Sequence, residues 1–219
     1  NPNEFIIDLV GNKYYIYILS KPSSNRTRAD IYIDAEKKTL IEFTACCLSS
    51  SGNNAQFQRF TKFIPFINNP ELDLVYYIYN KDDRKNNLRL LDKLVFKMWK
   101  TIGIKVCFEK ESLQNDFDNL EIFTTLQEFK DEWTNKAKIY HSNDYCIMED
   151  FNVIKNDKVN NDPGIGKILL TIMTLVKLGE KKILLKNTGI NSIEQFGLKN
   201  KLFRSINHIK FKFNVNLKF

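Results

Sequence analysis

The chain has 219 residues, of which 43% are hydrophobic, and it carries a formal net charge of +7 at neutral pH. A chain of this size and composition can bury the core of one large domain or of two small ones. No apolar run approaches the roughly 18 residues that a membrane span requires, which argues against an integral membrane protein. We therefore expect a soluble, cytoplasmic protein with no membrane partner.

The first elements that the pattern predicts are two adjacent β-strands. Residues 31–33 and 39–44 are rich in β-branched and aromatic side chains, and the polar residues 34–38 between them favour a turn. Asp30 precedes the first strand, and Glu42 lies inside the second. Two carboxylates at one hairpin are ligands that suit Mg²⁺, although both could equally be solvated on the polar face of an ordinary hairpin.

Helices and strands alternate after this hairpin. Aromatic and aliphatic residues at helical spacing predict a helix over residues 53–64, with Gln56 and Gln58 near its start. Further along, the pattern predicts strands over residues 72–79, 104–108 and 120–123, a helix through residues 88–98 that ends before Gly103, and a helix over residues 125–138. This alternation predicts an α/β fold with a mixed sheet flanked by helices.

The cysteines and histidines carry little functional signal. Cys46, Cys47, Cys107 and Cys146 show no CxxC or Cys/His spacing that suits zinc, so they are interpreted as buried thiols in a reducing compartment. His141 lies in a polar loop and His208 precedes a predicted strand. Both histidines are interpreted as structural or solvent-exposed rather than catalytic.

Basic charge is concentrated in the last third of the chain. Residues 151–219 contain 13 Lys and Arg and 4 Asp and Glu, a net of +9, which leaves 7 − 9 = −2 for residues 1–150. A surface that binds phosphates needs this kind of concentration. We therefore predict two domains, a core over residues 1–150 and a basic DNA-binding segment over residues 151–219.

The pattern in the basic segment predicts three helices and a strand. The helices are expected over residues 162–178, 180–189 and 191–206, and alternation predicts a strand over residues 209–219. This order is similar to a winged-helix unit, with the third helix as the recognition helix, although the strand could instead be the edge of the main sheet. The side chains suited to base edges and phosphates are Asn191, Gln195, Lys199, Asn200 and Arg204.

Residues 1–65 resemble the PD-(D/E)xK nuclease superfamily, and within it the cleavage domains of type IIS restriction endonucleases of the FokI and AlwI-like groups. In that pattern a helix carries an acidic residue, a basic loop follows, an Asp opens a hairpin, and a second acid lies near the hairpin's end. The resemblance implies a restriction-endonuclease-like fold, with a helix over residues 3–11 that carries Glu4. It also implies a loop over residues 21–28 in which Arg26 and Arg28 contact DNA.

The resemblance also assigns roles at the hairpin. Asp30 and Glu42, with Glu4, would bind one or two Mg²⁺ ions, and Mn²⁺ could substitute. Thr44 occupies the position of the family Lys, as it does in the AlwI-like group, and would border the attacking water together with Gln56. The sequence departs from the pattern at two positions, with Ala29 in place of Pro and Thr44 in place of Lys. Lys62 on the next helix is a candidate for the missing catalytic Lys.

These expectations converge on a Mg²⁺-dependent endodeoxyribonuclease that cuts double-stranded DNA and is related to restriction endonucleases. Cutting both strands from one such site requires a homodimer, a heterodimer or sequential nicks. Two alternatives stay open. One is a non-catalytic DNA-binding or specificity subunit that kept the nuclease fold, and the other is a viral-type RNA endonuclease with the same metal chemistry.

Overall fold

The computed structural model describes the backbone of residues 4–9, 12–18, 29–44, 53–79, 86–134, 137–149, 162–186, 190 and 193–219. Contacts divide the chain into two compact units. The first comprises Asn1–Asn53 and Pro65–Leu120, and the second comprises Asn54–Ile64 and Glu121–Phe219. The predicted boundary between residues 150 and 151 lies outside the described residues, and the second unit begins well before it.

The first unit contains a six-stranded mixed sheet in sequential order. Its strands are β1 (Glu4–Leu9), β2 (Asn12–Ile18), β3 (Ile31–Asp34), β4 (Lys38–Thr44), β5 (Leu72–Ile78) and β6 (Lys105–Phe108). The first four strands form an antiparallel meander, whereas β5 is parallel to both β4 and β6. Parallel neighbours need crossover connections, and the sequence between β5 and β6 supplies a helix for this purpose.

The core of the first unit lies between one face of this sheet and helix α2 (Leu90–Ile102). Tyr76 of β5 packs on Trp99 with ring centroids 4.7 Å apart, and Phe96 meets Phe108 of β6 edge to face. Helix α2 ends at Gly103, whose φ of 95° places it in the left-handed region, as a C-terminal cap requires. A further helix, α3 (Glu111–Asp118), follows β6.

The second unit contains a four-stranded sheet in the order β10–β9–β8–β7. These strands are β7 (Lys138–Ser142), β8 (Tyr145–Glu149), β9 (Lys182–Leu185) and β10 (Asn216–Lys218). The β7–β8 pair is antiparallel and the other pairs are parallel. The helices of this unit are α1 (Asn53–Phe60, apart from its first residue), α4 (Leu126–Trp133), α5 (Asp162–Lys177) and α6 (Phe196–Phe213).

Helix α5 forms the centre of the second unit, because almost all of its described side chains are buried. The indole of Trp133 donates a hydrogen bond to the Thr171 hydroxyl at 3.1 Å, which ties α4 to α5. Gly166 brings α5 against α1, since a Cβ at this position would lie 1.9 Å from the carbonyl oxygen of Phe57. Only glycine permits this approach of the two backbones.

The prediction of an α/β fold with mixed sheets and flanking helices is confirmed. The structure also confirms the predicted strands at residues 31–33, 39–44, 72–79 and 104–108 and the helices that correspond to α1, α2, α4 and α5. Among the described residues, no helix combines the length and the hydropathy that crossing a bilayer requires.

The helix predicted at residues 3–11 is wrong. Residues 4–9 form β1, which pairs with β2 along its whole length. The local reason is composition, because Phe5, Ile6 and Ile7 favour a strand and the partner strand is rich in Tyr and Ile. Residues 120–123, predicted as a strand, are irregular, although Phe123 is buried.

The winged-helix order predicted for the C-terminal segment is replaced by helix, strand, helix, strand. Residues 182–185 form β9 instead of a helix, since the short apolar run Ile183-Leu184-Leu185 enters the parallel sheet. Residues 209–213 continue α6 instead of starting a strand. Their alternation also satisfies a helical pattern, in which the residues buried on one face are Leu202, Ile206, Ile209 and Phe213.

Candidate functional site

The two carboxylates of the first hairpin lie at the same end of its strand pairing. The antiparallel pairing of β3 with β4 matches Ile31 to Ile41, and Asp30 and Glu42 each lie one residue beyond this matched pair. Both acids that the sequence singled out are therefore near this end of the hairpin.

Glu42 is fully buried, with 0% of its surface exposed. It shares the core face of β4 with Leu40 and Thr44, and Tyr76 lies at the matching position of β5. A charged carboxylate in such surroundings costs several kcal/mol unless hydrogen bonds, a cation or a proton compensate it. An acid on the core face of a strand is therefore a candidate ligand rather than a solvated surface group.

Backbone hydrogen bonds hold Asp30 in place. Its N–H donates to the Ile41 carbonyl at 3.0 Å, which ties the residue to β4. The Phe43 N–H donates to Oδ2 of Asp30, also at 3.0 Å. The side chain is only half-buried, so the carboxylate is oriented by the partner strand and still reaches solvent.

Thr44 is buried at the end of β4, on the same face as Glu42. Its carbonyl accepts a hydrogen bond from the Tyr79 N–H at 2.8 Å, which fixes the strand end against β5. Because its hydroxyl is neutral, the position can orient a water by hydrogen bonding but supplies no positive charge.

The structure does not bring Glu4 to this pair of acids. The register runs from Glu4 through Tyr17 of β2 and Tyr32 of β3 to Leu40 of β4. With neighbouring strands about 4.8 Å apart, its backbone lies about 10 Å from β3. Its side chain is outside the described residues.

The other proposed catalytic side chains belong to the second unit. Gln56 is buried on α1, Gln58 is exposed there, and Lys62 is half-buried in the turn that follows. The surface position of Gln58 agrees with an ordinary helix-forming role. Arg26 and Arg28 lie outside the described residues.

The residues proposed for DNA contact lie at an exposed, basic helix. Lys199, Asn200 and Arg204 are exposed on α6, Gln195 is its exposed N-cap residue, and Asn191 is outside the described residues. Helix α6 contains no Asp or Glu, and its basic residues are Lys199, Lys201, Arg204, Lys210 and Lys212. Its exposed side is therefore suited to phosphates, although it is not part of a winged helix.

A second cluster of potential ligands, which sequence reasoning missed, lies in the second unit. Within the described part of the chain, His141, Cys146 and Glu180 form the one group of three or more potential metal ligands, with ligand atoms within 4.8 Å of one another. The expectation that Cys146 is a buried thiol is confirmed, whereas Cys107 is half-buried and Cys46 and Cys47 are outside the described residues. His141 lies in β7 rather than in a loop, and His208 lies in α6 rather than before a strand.

One local signal could have found this cluster. The dipeptide Asn143-Asp144 favours a two-residue hairpin turn, and such a turn places His141 opposite Cys146. Comparisons with protein-family models, curated proteins and solved structures find no match for this chain. Function is therefore inferred from the geometry of the two units themselves.

Proposed function

We propose that the chain is a metal-dependent endonuclease that hydrolyses phosphodiester bonds of DNA at the β3–β4 hairpin. The observation that carries this proposal is the fully buried acid Glu42 on the core face of β4, with the half-buried Asp30 at the same end of the hairpin. The resemblance of residues 1–65 to PD-(D/E)xK nucleases, in which an Asp opens a hairpin and a second acid lies near its end, supports the proposal, although residues 4–9 form a strand where that resemblance implies a helix.

The donor set fits Mg²⁺. Both residues offer hard carboxylate oxygens, and Mg²⁺ is commonly bound through one or two carboxylates while it keeps several waters. When bound, Mg²⁺ supplies polarisation of the phosphodiester and a more acidic attacking water. Neither Glu4 nor a residue of the second unit is needed for this two-carboxylate site.

The protein's own contribution is rigidity and orientation. The Phe43 N–H donates to one oxygen of Asp30, and pairing with Tyr76 of β5 fixes the backbone of Glu42. The hydroxyl of Thr44, two residues further on the same face, can orient a water but cannot take up its proton at neutral pH. We therefore expect slower cleavage than a lysine at this position would give.

Helix α6 is proposed as the DNA-binding surface. Five basic residues without an acidic neighbour in the helix attract the phosphate backbone, and this attraction is independent of sequence. The proposed substrate is double-stranded DNA. A homodimer or a heterodimer would cut both strands at once, whereas a single site would release nicked circles before linear DNA.

Plasmid cleavage in Mg²⁺ or Mn²⁺ tests the catalytic site. We expect Asp30→Asn and Glu42→Gln each to reduce the cleavage rate at least 100-fold, the order found when a key catalytic group is lost. Glu36→Gln is the matched control, since Glu36 is an exposed acid in the turn of the same hairpin. Cleavage by the parent that survives both substitutions would exclude this site, and preferential cleavage of RNA would support the RNA endonuclease alternative.

DNA affinity as a function of salt tests the proposed binding surface. Replacing Lys199 and Arg204 by Gln should lower the slope of log affinity against log salt by about 0.9 for each phosphate that the helix no longer neutralises. Lys105→Gln is the control, because Lys105 is exposed but lies in the other unit and is paired with Asp73. An unchanged slope in the double variant would exclude α6 as the DNA-binding surface.

A non-catalytic DNA-binding subunit is the second candidate, and Thr44 is the observation that favours it. The side chain is buried and neutral where the resemblance expects a charged Lys. Salt-sensitive DNA binding by the parent without any cleavage would support this candidate. Gain of cleavage in Thr44→Lys would show that the nuclease site is complete apart from that one group.

A further inference from the structure

The β7–β8 hairpin positions two potential metal ligands by its register. His141 and Cys146 are directly paired across the two strands and so share a face of the sheet. The turn between the strands has positive φ at both Asn143 (48°) and Asp144 (61°), which is the geometry of a tight two-residue hairpin turn. Such a turn fixes the register, and the register fixes the pair of ligands.

The C-terminal end of helix α5 positions the third potential ligand, Glu180. Helix α5 is closed by Gly179, whose φ of 100° lies in the left-handed region. The N–H of Gly179 donates to the Val176 carbonyl at 3.1 Å, and the N–H of Glu180 donates to the Leu175 carbonyl at 3.0 Å. This C-terminal cap holds Glu180 just before β9, the strand that pairs with β8 beside Cys146.

The three side chains meet at a partly open position. Nε2 of His141 lies 3.1 Å from Oε1 of Glu180, and the ligand atoms of all three residues lie within 4.8 Å of one another. The side chain of His141 is 52% exposed and that of Glu180 is 17% exposed, whereas Cys146 is fully buried. An ion could therefore enter from the histidine side and meet the sulfur at the base of the site.

The donor set selects the class of ion. Imidazole, thiolate and carboxylate ligands together suit Zn²⁺, whereas Mg²⁺ and Ca²⁺ prefer oxygen ligands alone. Tetrahedral Zn²⁺ lies about 2.0–2.3 Å from its ligands and so needs them about 3.3–3.8 Å apart. The exposed imidazole of His141 and the Glu180 carboxylate can move enough to close the remaining distance by side-chain rotation.

Without an ion, the thiol of Cys146 keeps its proton. Burial raises its pKa to about 12, and the negative charge of Glu180 adds to the shift. A divalent cation bound here would displace the thiol proton to solvent. Its positive charge would then balance the negative charges of the Glu180 carboxylate and the Cys146 thiolate.

We propose that His141, Cys146 and Glu180 form a Zn²⁺-binding site in the second unit, with the fourth position open to water. The site is distinct from the proposed Mg²⁺ site of the nuclease and does not depend on that function. Three protein ligands with an open fourth position bind the ion without closing it off from small exogenous ligands.

Cobalt substitution of the full chain tests the site through the metal–sulfur bond. The parent and all variants carry Cys46→Ser and Cys47→Ser, because those adjacent thiols could bind metal independently. We expect Co²⁺ to give a sulfur-to-cobalt charge-transfer band in the near ultraviolet, and Zn²⁺ to abolish it by displacement. Cys146→Ser should remove the band, whereas Cys107→Ser should leave it unchanged.

Variants of the two ligands other than the buried cysteine test the site and keep the Cys146 thiol in place. His141→Ala and Glu180→Gln should each weaken Zn²⁺ binding at least tenfold in calorimetric titration, with His208→Ala as the matched histidine control. A parent without the charge-transfer band would overturn the proposal, and so would a band that survives Cys146→Ser. Unchanged Zn²⁺ affinity in His141→Ala would also overturn it, leaving His141 and Glu180 as an ordinary ion pair over a buried thiol.

Discussion

We propose that the β3–β4 hairpin of the first unit and the β7–β8 hairpin of the second unit each bind an ion, and the two hairpins offer different donor atoms. The first hairpin places the half-buried Asp30 and the buried Glu42 one residue beyond the matched pair Ile31–Ile41, and the second pairs the exposed His141 directly with the buried Cys146. The first pair offers only oxygen, whereas the second offers sulfur and nitrogen. Under the two proposals, the donor atoms at each hairpin decide which ion suits it, Mg²⁺ at the first hairpin and Zn²⁺ at the second.

The two hairpins differ in how a third ligand is supplied. In the second unit, the capped end of α5 brings Glu180 to the pair. In the first unit, the described side chains include no third member of such a group, and Glu4 lies two strands away from β3. An oxygen site with two protein ligands relies on water and substrate for the rest, as Mg²⁺ sites commonly do.

The largest expected effect is a loss of stability in the second unit that leaves the first unit unchanged. Gly166→Ala would place a Cβ 1.9 Å from a backbone oxygen that cannot move aside, so we expect a loss of about 3 kcal/mol in the free energy of unfolding. Urea unfolding followed by tryptophan fluorescence measures this loss. Trp133 reports on the second unit in a Trp99→Phe background, and Trp99 reports on the first unit in a Trp133→Phe background. Gly197→Ala, at an exposed position of α6, is the control, and an equally stable Gly166→Ala would contradict the close approach of α1 and α5.

Selective loss of ion stabilisation should show that the two sites are independent. An ion at 100 times its dissociation constant stabilises the folded state by about 2.7 kcal/mol. We expect Glu42→Gln to remove the rise in melting temperature caused by Mg²⁺ but to keep the rise caused by Zn²⁺, and Cys146→Ser to do the reverse. Thermal melts with each ion measure this crossover, and loss of both responses in one variant would refute the assignment of separate sites.

Two capping glycines provide a matched pair of smaller changes. Gly103 and Gly179 have φ values of 95° and 100°, and a Cβ at either position would meet nothing within 4 Å. Alanine should therefore cost only the backbone strain, about 1–2 kcal/mol in each case. Gly179→Ala should also weaken Zn²⁺ binding several-fold because it displaces Glu180, whereas Gly103→Ala should not. Equal Zn²⁺ affinity in the two variants would show that the cap does not position Glu180.

The smallest expected effect concerns Asp73 of the first unit. Its hydrogen bonds with Lys105 (2.8 Å) and then Lys37 (2.7 Å) hold the pKa of its carboxyl below the usual value. Because the folded pKa is depressed, the stabilisation is present above about pH 4 and is lost as pH falls through the folded pKa. The carboxylate is 21% exposed and both lysines are largely exposed, so we expect a contribution of about 1 kcal/mol or less.

Asp73→Asn measured against the parent isolates this contribution. The difference in the free energy of unfolding should be full at about pH 6 and should shrink towards about pH 3. Lys182→Gln is a control from the second unit, where the pair with Asp144 is long and exposed at 3.7 Å. A difference that grows on acidification would contradict the sign of the shift.

The sequence by itself determined the local elements in which one physical signal dominates. β-branched and aromatic runs predicted β3, β4, β5 and β6, helical periodicity predicted α2, start and stop signals predicted α5, and Gly103 marked a helix end. It also pointed to Asp30 and Glu42, because a charged residue inside a strand departs from the pattern around it. These features depend on neighbours in sequence, so local chemistry is enough to predict them.

Only the tertiary structure decided features for which a local pattern fits two structures or for which partners are distant in sequence. Residues 209–213 satisfy both strand and helix periodicities, and packing of Ile209 and Phe213 on the buried side of α6 selected the helix. Residues 182–185 became β9 because a parallel neighbour was available in β8. Glu180, which follows α5, is the third potential ligand beside His141 and Cys146. This contact depends on the fold and not on spacing in the sequence.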